Sequence, residues 1–119
     1  MASDPDPDCI FCKIVHGEIP STTLYTDDRV IAFEDINPSA PVHLLVVPVD
    51  HVTFLTGLDE SSEALIGHMA LVARNLAVER GINDSGYRLV INQGPDAGQV
   101  VDHLHMHLLG GSPLGGLAT

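Results

Sequence analysis

Residues 102–108 read Asp102-His103-Leu104-His105-Met106-His107-Leu108 and alternate histidine with apolar residues. Because successive side chains of a β-strand point to opposite faces, this pattern predicts a strand with three imidazoles on one face and a core-facing apolar side. Three interpretations of the imidazole face stay open at this point. It is a polar outer surface, a three-histidine metal site similar to that of a zinc hydrolase, or a nucleophilic imidazole flanked by helpers.

A glycine-rich loop precedes this stretch and reads Gly94-Pro95-Asp96-Ala97-Gly98-Gln99. Its two glycines allow the backbone to approach an anion closely. Such a loop is a weak signal alone, but beside the histidines it indicates an oxyanion site next to a nucleophile. Phosphoryl or nucleotidyl transfer fits this pairing better than peptide hydrolysis, because the sequence contains no H-E-x-x-H motif.

The rest of the chain predicts an α+β domain with an antiparallel sheet. Further strands are predicted at 30–35, 42–47 and 87–92, and the second is apolar enough to be a central strand covered on both faces. One long helix is predicted from about Asp59, as its N-cap, to Arg80, with Gly81 as its stop. His68 on this helix is interpreted as exposed or merely packed rather than functional.

The composition supports a single domain with an aliphatic core. The chain has 119 residues, 45% of them hydrophobic, with no Trp and only three Phe and two Tyr. Its net charge of −11 argues against a nucleic-acid-binding or anionic-membrane-binding surface. A nucleotide would therefore have to be bound by local N–H groups, histidines or a metal.

The N-terminal region carries an acidic segment followed by a cysteine pair. Residues 1–8, in which Asp and Pro alternate from Asp4 to Asp8, are expected to form a disordered acidic tail. No signal peptide or apolar span is recognisable, so we expect a cytoplasmic protein. Cys9-x-x-Cys12 is half a zinc site, a redox pair or a coincidence, and the absence of an export signal disfavours a structural disulfide.

Residues 103–109 resemble the H-φ-H-φ-H-φ-φ signature of the histidine-triad (HIT) nucleotide-binding proteins, where φ is an apolar residue. The resemblance covers residues 9–111 and is closest to the bacterial zinc-binding type of the Hint branch. Matching segments lie at 10–14, 18–20, 32–36, 40–41, 43–48, 86–88 and 92–94. The resemblance implies a HIT domain at 9–111 and a C-terminal tail at 112–119.

The fold implied by this resemblance is a five-stranded antiparallel sheet with one long helix and a short N-terminal helix. Two copies are expected to form a homodimer in which the sheets join into one of ten strands. A purine nucleotide is the expected ligand, with AMP as a product, and neither nucleic acid nor a membrane is an expected partner.

The activity implied is hydrolysis of purine nucleoside 5′-phosphoramidates through a nucleotidyl-histidine intermediate. His105 matches the family nucleophile, and His107, His103 and His43 match its supporting histidines. Alternatives are a dinucleoside polyphosphate hydrolase, or a nucleotide-binding or interaction module with weak catalysis. Val100 stands where many relatives carry a Ser whose hydroxyl reaches the phosphate region, so only a backbone N–H is expected to serve the phosphate at this position.

The resemblance also implies contacts along a bound nucleotide. Asp35 matches the carboxylate that accepts hydrogen bonds from the ribose hydroxyls. Apolar residues around the base and polar groups around the phosphate complete the expected set, which comprises Ile10, Phe11, Phe33 and Ile36 for the base and Asn92, Gly98, Gln99 and Val100 for the phosphate. Ordinary core packing is the competing explanation for the apolar members.

A structural Zn²⁺ is the cofactor implied by the resemblance. Its expected ligands are Cys9, Cys12, His51 and the first triad residue, His103. Two thiolates neutralise the charge of the ion, which suits a structural site better than a Lewis-acid site.

Overall fold

The computed structural model describes residues 8–55 and 58–116. The expected acidic tail therefore lies outside the described residues except for Asp8, as do the last three residues of the C-terminal tail. No helix in the described residues combines the length and hydropathy that crossing a membrane requires.

Five strands and two α-helices make up the described chain. In chain order they are α1 (Ile10–Val15), β1 (Thr23–Thr26), β2 (Val30–Glu34), β3 (Val42–Pro48), α2 (Glu63–Glu79), β4 (Tyr87–Val90) and β5 (Met106–Gly110). The sheet order is β1-β2-β3-β5-β4, and every neighbouring pair is antiparallel. The predicted α+β class and five-stranded antiparallel sheet are confirmed.

The central strand β3 separates two apolar clusters. Leu44 and Val46 pack on the face covered by α2, whereas Leu45 and Val47 pack on the face covered by α1. This arrangement explains why β3 has no alternating polar residues. The prediction of a strand covered on both faces is confirmed.

Helix α2 is shorter than the sequence predicts. It begins at Glu63 after a 3₁₀ turn at Glu60–Ser62, so Ser62 and not Asp59 occupies the N-cap position. The buried residues Met69, Val72, Ala73, Leu76 and Ala77 follow the 3.6-residue period and face the sheet. Gly81, with a φ of +71°, ends the helix as predicted.

Histidine 68 is packed on the sheet side of α2 and has a specific partner. Its Nε2 lies 2.6 Å from Oδ2 of Asp27, which also accepts hydrogen bonds from Tyr25 and from two backbone N–H groups. Burial raises the pKa of Asp27, but these hydrogen bonds outweigh burial and lower the pKa well below its usual range. This pair ties the β1–β2 turn to α2 and explains His68 without a functional role.

Candidate active site and metal site

The histidine stretch is only partly a strand. The ladder between β3 and β5 ends at the Val46–Met106 pair, so His103 and His105 precede β5 and the prediction of a strand from residue 102 is wrong there. Proline at position 48 has no N–H to extend the ladder. Instead, the Pro48 carbonyl oxygen accepts a hydrogen bond from Nε2 of His103 at 2.8 Å.

The alternation of faces nevertheless persists through this irregular segment. Leu104, Met106 and Leu108 belong to the α2-side cluster. The three imidazoles lie on the opposite side, where the rings of His103 and His105 pack edge-on against Phe11 of α1 with centroid distances of 5.9 and 5.0 Å. The hydrogen bond from the Leu104 N–H to the Val52 carbonyl fixes the backbone in place of strand pairing.

The backbone sets the tautomer of His105. Its Nδ1 lies 2.7 Å from the carbonyl oxygen of His103, and a carbonyl can only accept a hydrogen bond. Nδ1 therefore carries the proton, and the neutral ring presents a lone pair at Nε2. A buried imidazole with a fixed, unprotonated Nε2 is suited to nucleophilic attack.

A second relay orients His107. The Ser39 N–H donates to Nδ1 of His43 at 2.9 Å, so the proton of neutral His43 must be at Nε2. That Nε2–H lies 2.8 Å from Nδ1 of His107, which accepts it, and the remaining proton of His107 is therefore at its Nε2. His107 thus presents a hydrogen-bond donor where His105 presents a lone pair, and the two rings are 5.0 Å apart.

Burial keeps the supporting imidazoles neutral. Desolvation, with smaller contributions from His105 and His43, lowers the pKa of His107 to about 4. Desolvation also lowers the pKa of His43, against the opposing effect of the Asp35 carboxylate 3.4 Å from its Nε2. The tautomers assigned to His43 and His107 therefore apply at neutral pH.

The glycine-rich loop is followed by a backbone donor, the Val100 N–H, that has no partner among the described residues. Gly94 and Gly98 have φ values of +83° and +82°, and a 3₁₀ turn at Pro95–Ala97 joins them. The N–H groups of Gly98 and Gln99 already donate to carbonyls inside the loop, at 3.0 and 3.1 Å. Among the described residues the Val100 N–H has no such partner, and the Val100 side chain is 90% exposed.

The other expected nucleotide contacts lie on several elements of the fold. Asp35 follows β2 and lies beside His43, while Asn92 follows β4 and its side-chain amide has no hydrogen bond within the described chain. Phe11 and Phe33 pack edge-on with a centroid distance of 5.7 Å and are nearly buried. The apolar residues open to a ligand are Ile10, 40% exposed, and Ile36, 83% exposed.

Two cysteines and two histidines, one of which is His103, form a second cluster. The ligand atoms of Cys9, Cys12, His51 and His103 all lie within 4.8 Å of one another. A tetrahedral zinc with Zn–S near 2.3 Å and Zn–N near 2.0 Å requires ligand separations of about 3.3–3.8 Å, so small shifts suffice. The observed separations of Cys9 and Cys12 Sγ from Nδ1 of His103 are 3.3 and 3.5 Å.

The protonation of this cluster also suits a metal. Because Nε2 of His103 donates to the Pro48 carbonyl, its Nδ1 presents a lone pair toward the two sulfur atoms. Nδ1 of His51 lies 3.1 Å from Sγ of Cys12. Burial lowers the pKa of His103 to about 4, so its ring is neutral at physiological pH. The four residues therefore fit a thiolate-rich structural zinc site.

A second group of potential ligands does not fit a metal. Asp35, His43 and His107 also lie within 4.8 Å of one another. However, the Ser39 N–H occupies the lone pair at Nδ1 of His43, so its Nε2 carries a proton and cannot coordinate a cation. This group is a hydrogen-bonded relay.

Sequence reasoning missed the backbone partners that orient His43 and His103. The Ser39 N–H and the Pro48 carbonyl fix tautomers through contacts that no residue identity reveals. It also missed the role of the Gln99 side chain, whose amide is engaged inside the loop. The three-histidine zinc site is not formed, because His103, His105 and His107 use their nitrogens for different partners.

Comparison with known proteins finds relatives that are similar in sequence and in structure. The purine nucleoside phosphoramidase of Escherichia coli is 46% identical over 106 residues, which are 89% of each chain. The crystal structure of a HIT family hydrolase from Legionella pneumophila superposes with a TM-score of 0.91 at 39% identity, covering 94% of this chain and all of the other.

A zinc-bound relative is also similar in structure. A Zn-bound histidine triad family protein from Mycobacterium smegmatis has a TM-score of 0.76 at 31% identity, covering 87% of this chain and 74% of the other. The sequence profile of the HIT domain matches residues 16–114, which include the three imidazoles and the glycine-rich loop. The chain therefore belongs to the HIT domain family.

Proposed function

We propose that this protein is a HIT-family hydrolase that cleaves purine nucleoside 5′-phosphoramidates to the nucleoside monophosphate and an amine. The observation that carries the proposal is the His105 imidazole, whose Nδ1–H is held by the His103 carbonyl so that Nε2 is free to attack. The 46% identity to the purine nucleoside phosphoramidase of E. coli supports this substrate class.

Catalysis begins with attack of His105 Nε2 on the α-phosphorus. The P–N bond breaks, the amine leaves with a proton from solvent, and a nucleotidyl-histidine forms. The positive charge that develops on the His105 ring is stabilised by the His103 carbonyl oxygen at Nδ1. Water then attacks the phosphorus and gives a proton to solvent, the bond from phosphorus to Nε2 breaks, and the monophosphate and neutral His105 are released.

The phosphate oxygens are held by donors rather than by cations. His107 donates from Nε2, because the Ser39–His43 relay places its proton there. The Val100 N–H, in the loop shaped by Gly98 and Gln99, supplies a backbone donor. Asn92 adds an amide at the phosphate or leaving-group side.

The nucleoside is bound at the other end of the site. Asp35 accepts hydrogen bonds from the ribose hydroxyls, and its carboxylate is half-buried beside His43. Ile10 and Ile36 are the exposed apolar side chains that cover the base, with Phe11 and Phe33 as the buried wall behind it. Contact area rather than base-edge hydrogen bonds gives the site a loose purine preference.

We also propose that Cys9, Cys12, His51 and His103 bind a structural zinc. When bound, the ion supplies no chemistry to the substrate but fixes the segment that precedes β5. With its side chain held in the metal site, His103 would keep its carbonyl oxygen directed at Nδ1 of His105, so the metal site would help to orient the nucleophile. A zinc site with two cysteine ligands is compatible with a reducing compartment, and a cytoplasmic location is part of this proposal.

Two copies of the chain form a homodimer through β4 in this proposal. Strand β4 is an edge of the sheet, and Leu89 on it is 38% exposed. Leu71 and Val78 on α2 are also exposed apolar residues, at 51% and 54%. The opposite edge, β1, is interrupted by a bulge between Thr23 and Tyr25, a feature that disfavours edge pairing.

The test is steady-state hydrolysis of a fluorogenic adenosine phosphoramidate beside a diadenosine polyphosphate. The His105→Ala protein serves as the blank. Cleavage of the phosphoramidate with little cleavage of the polyphosphate is expected. Preference for the polyphosphate would favour a dinucleoside polyphosphate hydrolase, and binding of AMP without cleavage of either substrate would indicate a nucleotide-binding module.

A further inference from the structure

The Gln99 side chain is used entirely within the protein. Its Oε1 accepts a hydrogen bond from the Gly94 N–H at 2.8 Å. Its Nε2 donates to the Val101 carbonyl at 3.2 Å and to the Thr53 carbonyl at 3.4 Å. A glutamine whose oxygen and both amide protons are engaged has no donor left for a ligand.

These bonds close the glycine-rich loop into a ring. The Gln99 N–H donates to the Gly94 carbonyl at 3.1 Å, so Gly94 and Gln99 are joined by a backbone and a side-chain hydrogen bond. Both glycines of the loop adopt positive φ. Because glycine has many other backbone conformations available, this loop would be flexible without further contacts. The ring therefore selects one conformation from a flexible segment.

The closed ring also engages the backbone donors that directly precede Val100. The N–H groups of Gly98 and Gln99 point inward to loop carbonyls, whereas the N–H of Val100, the next residue, has no partner among the described residues. The bond from Gln99 to the Thr53 carbonyl ties the ring to the segment after His51. The direction of the Val100 N–H thus depends on a side chain that does not itself reach a substrate.

We propose that Gln99 is a positioning residue for the reaction, which closes the loop and thereby aims the Val100 N–H at the phosphate. This inference rests on the proposed function for its catalytic part. Its structural part concerns the ligand-free protein and stands independently.

Two substitutions separate the parts of the bridge. Gln99→Leu has similar size and removes every side-chain hydrogen bond. Gln99→Glu keeps an acceptor for the Gly94 N–H but loses the donors to Val101 and Thr53. Gln93→Leu is the matched control, because Gln93 bonds the Leu55 N–H and the Asn92 carbonyl but nothing in the ring.

Three measurements are made on the full chain: amide exchange of Gly94 by NMR without ligand, affinities for adenosine and AMP, and kcat and KM for the phosphoramidate. In Gln99→Leu we expect Gly94 exchange to rise about tenfold or more, since its partner is lost. AMP affinity should fall about tenfold while adenosine affinity stays within about twofold. The kcat should fall about 100-fold, as for loss of one oxyanion donor.

The other variants distinguish positioning from direct contact. Gln99→Glu should retain Gly94 protection, because its carboxylate can still accept from the Gly94 N–H, and Gln93→Leu should resemble the parent protein. Unchanged Gly94 exchange in Gln99→Leu, or faster exchange with unchanged AMP affinity and kcat, would overturn the proposal. If the parent protein cleaves no phosphoramidate, the proposed function fails, while the exchange and binding data still decide whether Gln99 sets the phosphate loop.

Discussion

Nδ1 of His105 donates to the carbonyl oxygen of His103 over 2.7 Å. The same His103 directs its own Nδ1 toward the sulfur atoms of Cys9 and Cys12, at 3.3 and 3.5 Å. One residue therefore belongs to both the candidate metal site and the candidate active site, with its side chain in the first and its backbone in the second. Disturbing the metal site is expected to affect the orientation of His105.

Replacing His105 tests the nucleophile directly. His105→Asn should lower kcat for a phosphoramidate by about 1,000-fold or more, because no other group presents a lone pair at that position. AMP affinity should stay within about threefold, since the phosphate donors remain. His68→Asn is the matched control: it removes an imidazole that is paired with Asp27 outside the site. Turnover in His105→Asn comparable to that of the control would remove His105 from the mechanism.

The His43 relay is expected to act through the tautomer of His107. His43→Leu removes the donor that fixes the His107 proton at Nε2, so His107 can present either nitrogen to the phosphate. We expect kcat to fall about tenfold to 100-fold with a smaller change in KM. His43→Gln, which keeps an N–H donor, should recover part of the loss. Equal kcat values in Leu and Gln variants would show that the relay is not the reason for the effect.

The sequence predicted those parts of the site that depend on residue type and period. The alternation around His105 and the apolar run of β3 are each patterns within a single segment. Both patterns correctly predicted which side chains face the apolar clusters. The convergence of Cys9 and Cys12 with two distant histidines came from the family resemblance. No local pattern places residues 9 and 103 together.

What the sequence could not predict depends on individual backbone atoms. The lost strand pairing at His103 follows from Pro48 and from the hydrogen bond between Leu104 and Val52. The 3₁₀ turn before α2 moved the N-cap away from Asp59, an acceptable cap by residue type. Edge strand β1 was not located because its four residues, Thr23–Thr26, are mostly exposed and lack an apolar face.

Stability should fall in mild acid because of His107. Burial lowers its pKa in the folded chain to about 4, whereas the unfolded chain takes up the proton near the usual value of 6.5. The stabilising contribution is therefore complete above pH 6.5 and is lost as the pH falls from 6.5 to 4. Between pH 7 and pH 5 we expect a loss of about 2 kcal/mol from this group.

Urea unfolding of the parent and of His107→Asn at several pH values measures this contribution. The variant lacks the titrating group, so its free energy of unfolding should depend less on pH across that interval by about 2 kcal/mol. Parallel pH dependences for the two proteins would show that His107 titrates alike in both states, contrary to its burial.

Zinc should be present at about one ion per chain and should stabilise the fold. Removal by a chelator, or the substitution Cys12→Ser, should lower the free energy of unfolding by about 2–4 kcal/mol and Tm by about 10–20 °C. His16→Ala, an exposed histidine just after α1, should keep its metal and its Tm. Elemental analysis and thermal melts measure these two effects. A parent protein whose Tm is the same with and without metal would contradict the proposed zinc site.

If the dimer forms through β4, a charge introduced on β4 should disrupt it and a charge introduced on β1 should not. Leu89 is one of the two central residues of β4, so at a twofold contact in which β4 pairs antiparallel with its own copy, Leu89 would lie near its symmetry copy. Leu89→Arg places like charges there and should reduce the mass in solution from about 25 kDa toward the 12.7 kDa of one chain. Thr26→Arg, an exposed residue of the opposite edge strand, should leave the mass unchanged. Light scattering after size exclusion distinguishes the outcomes: a dimeric Leu89→Arg protein would rule out the β4 edge, and a monomeric Thr26→Arg protein would move the interface to β1.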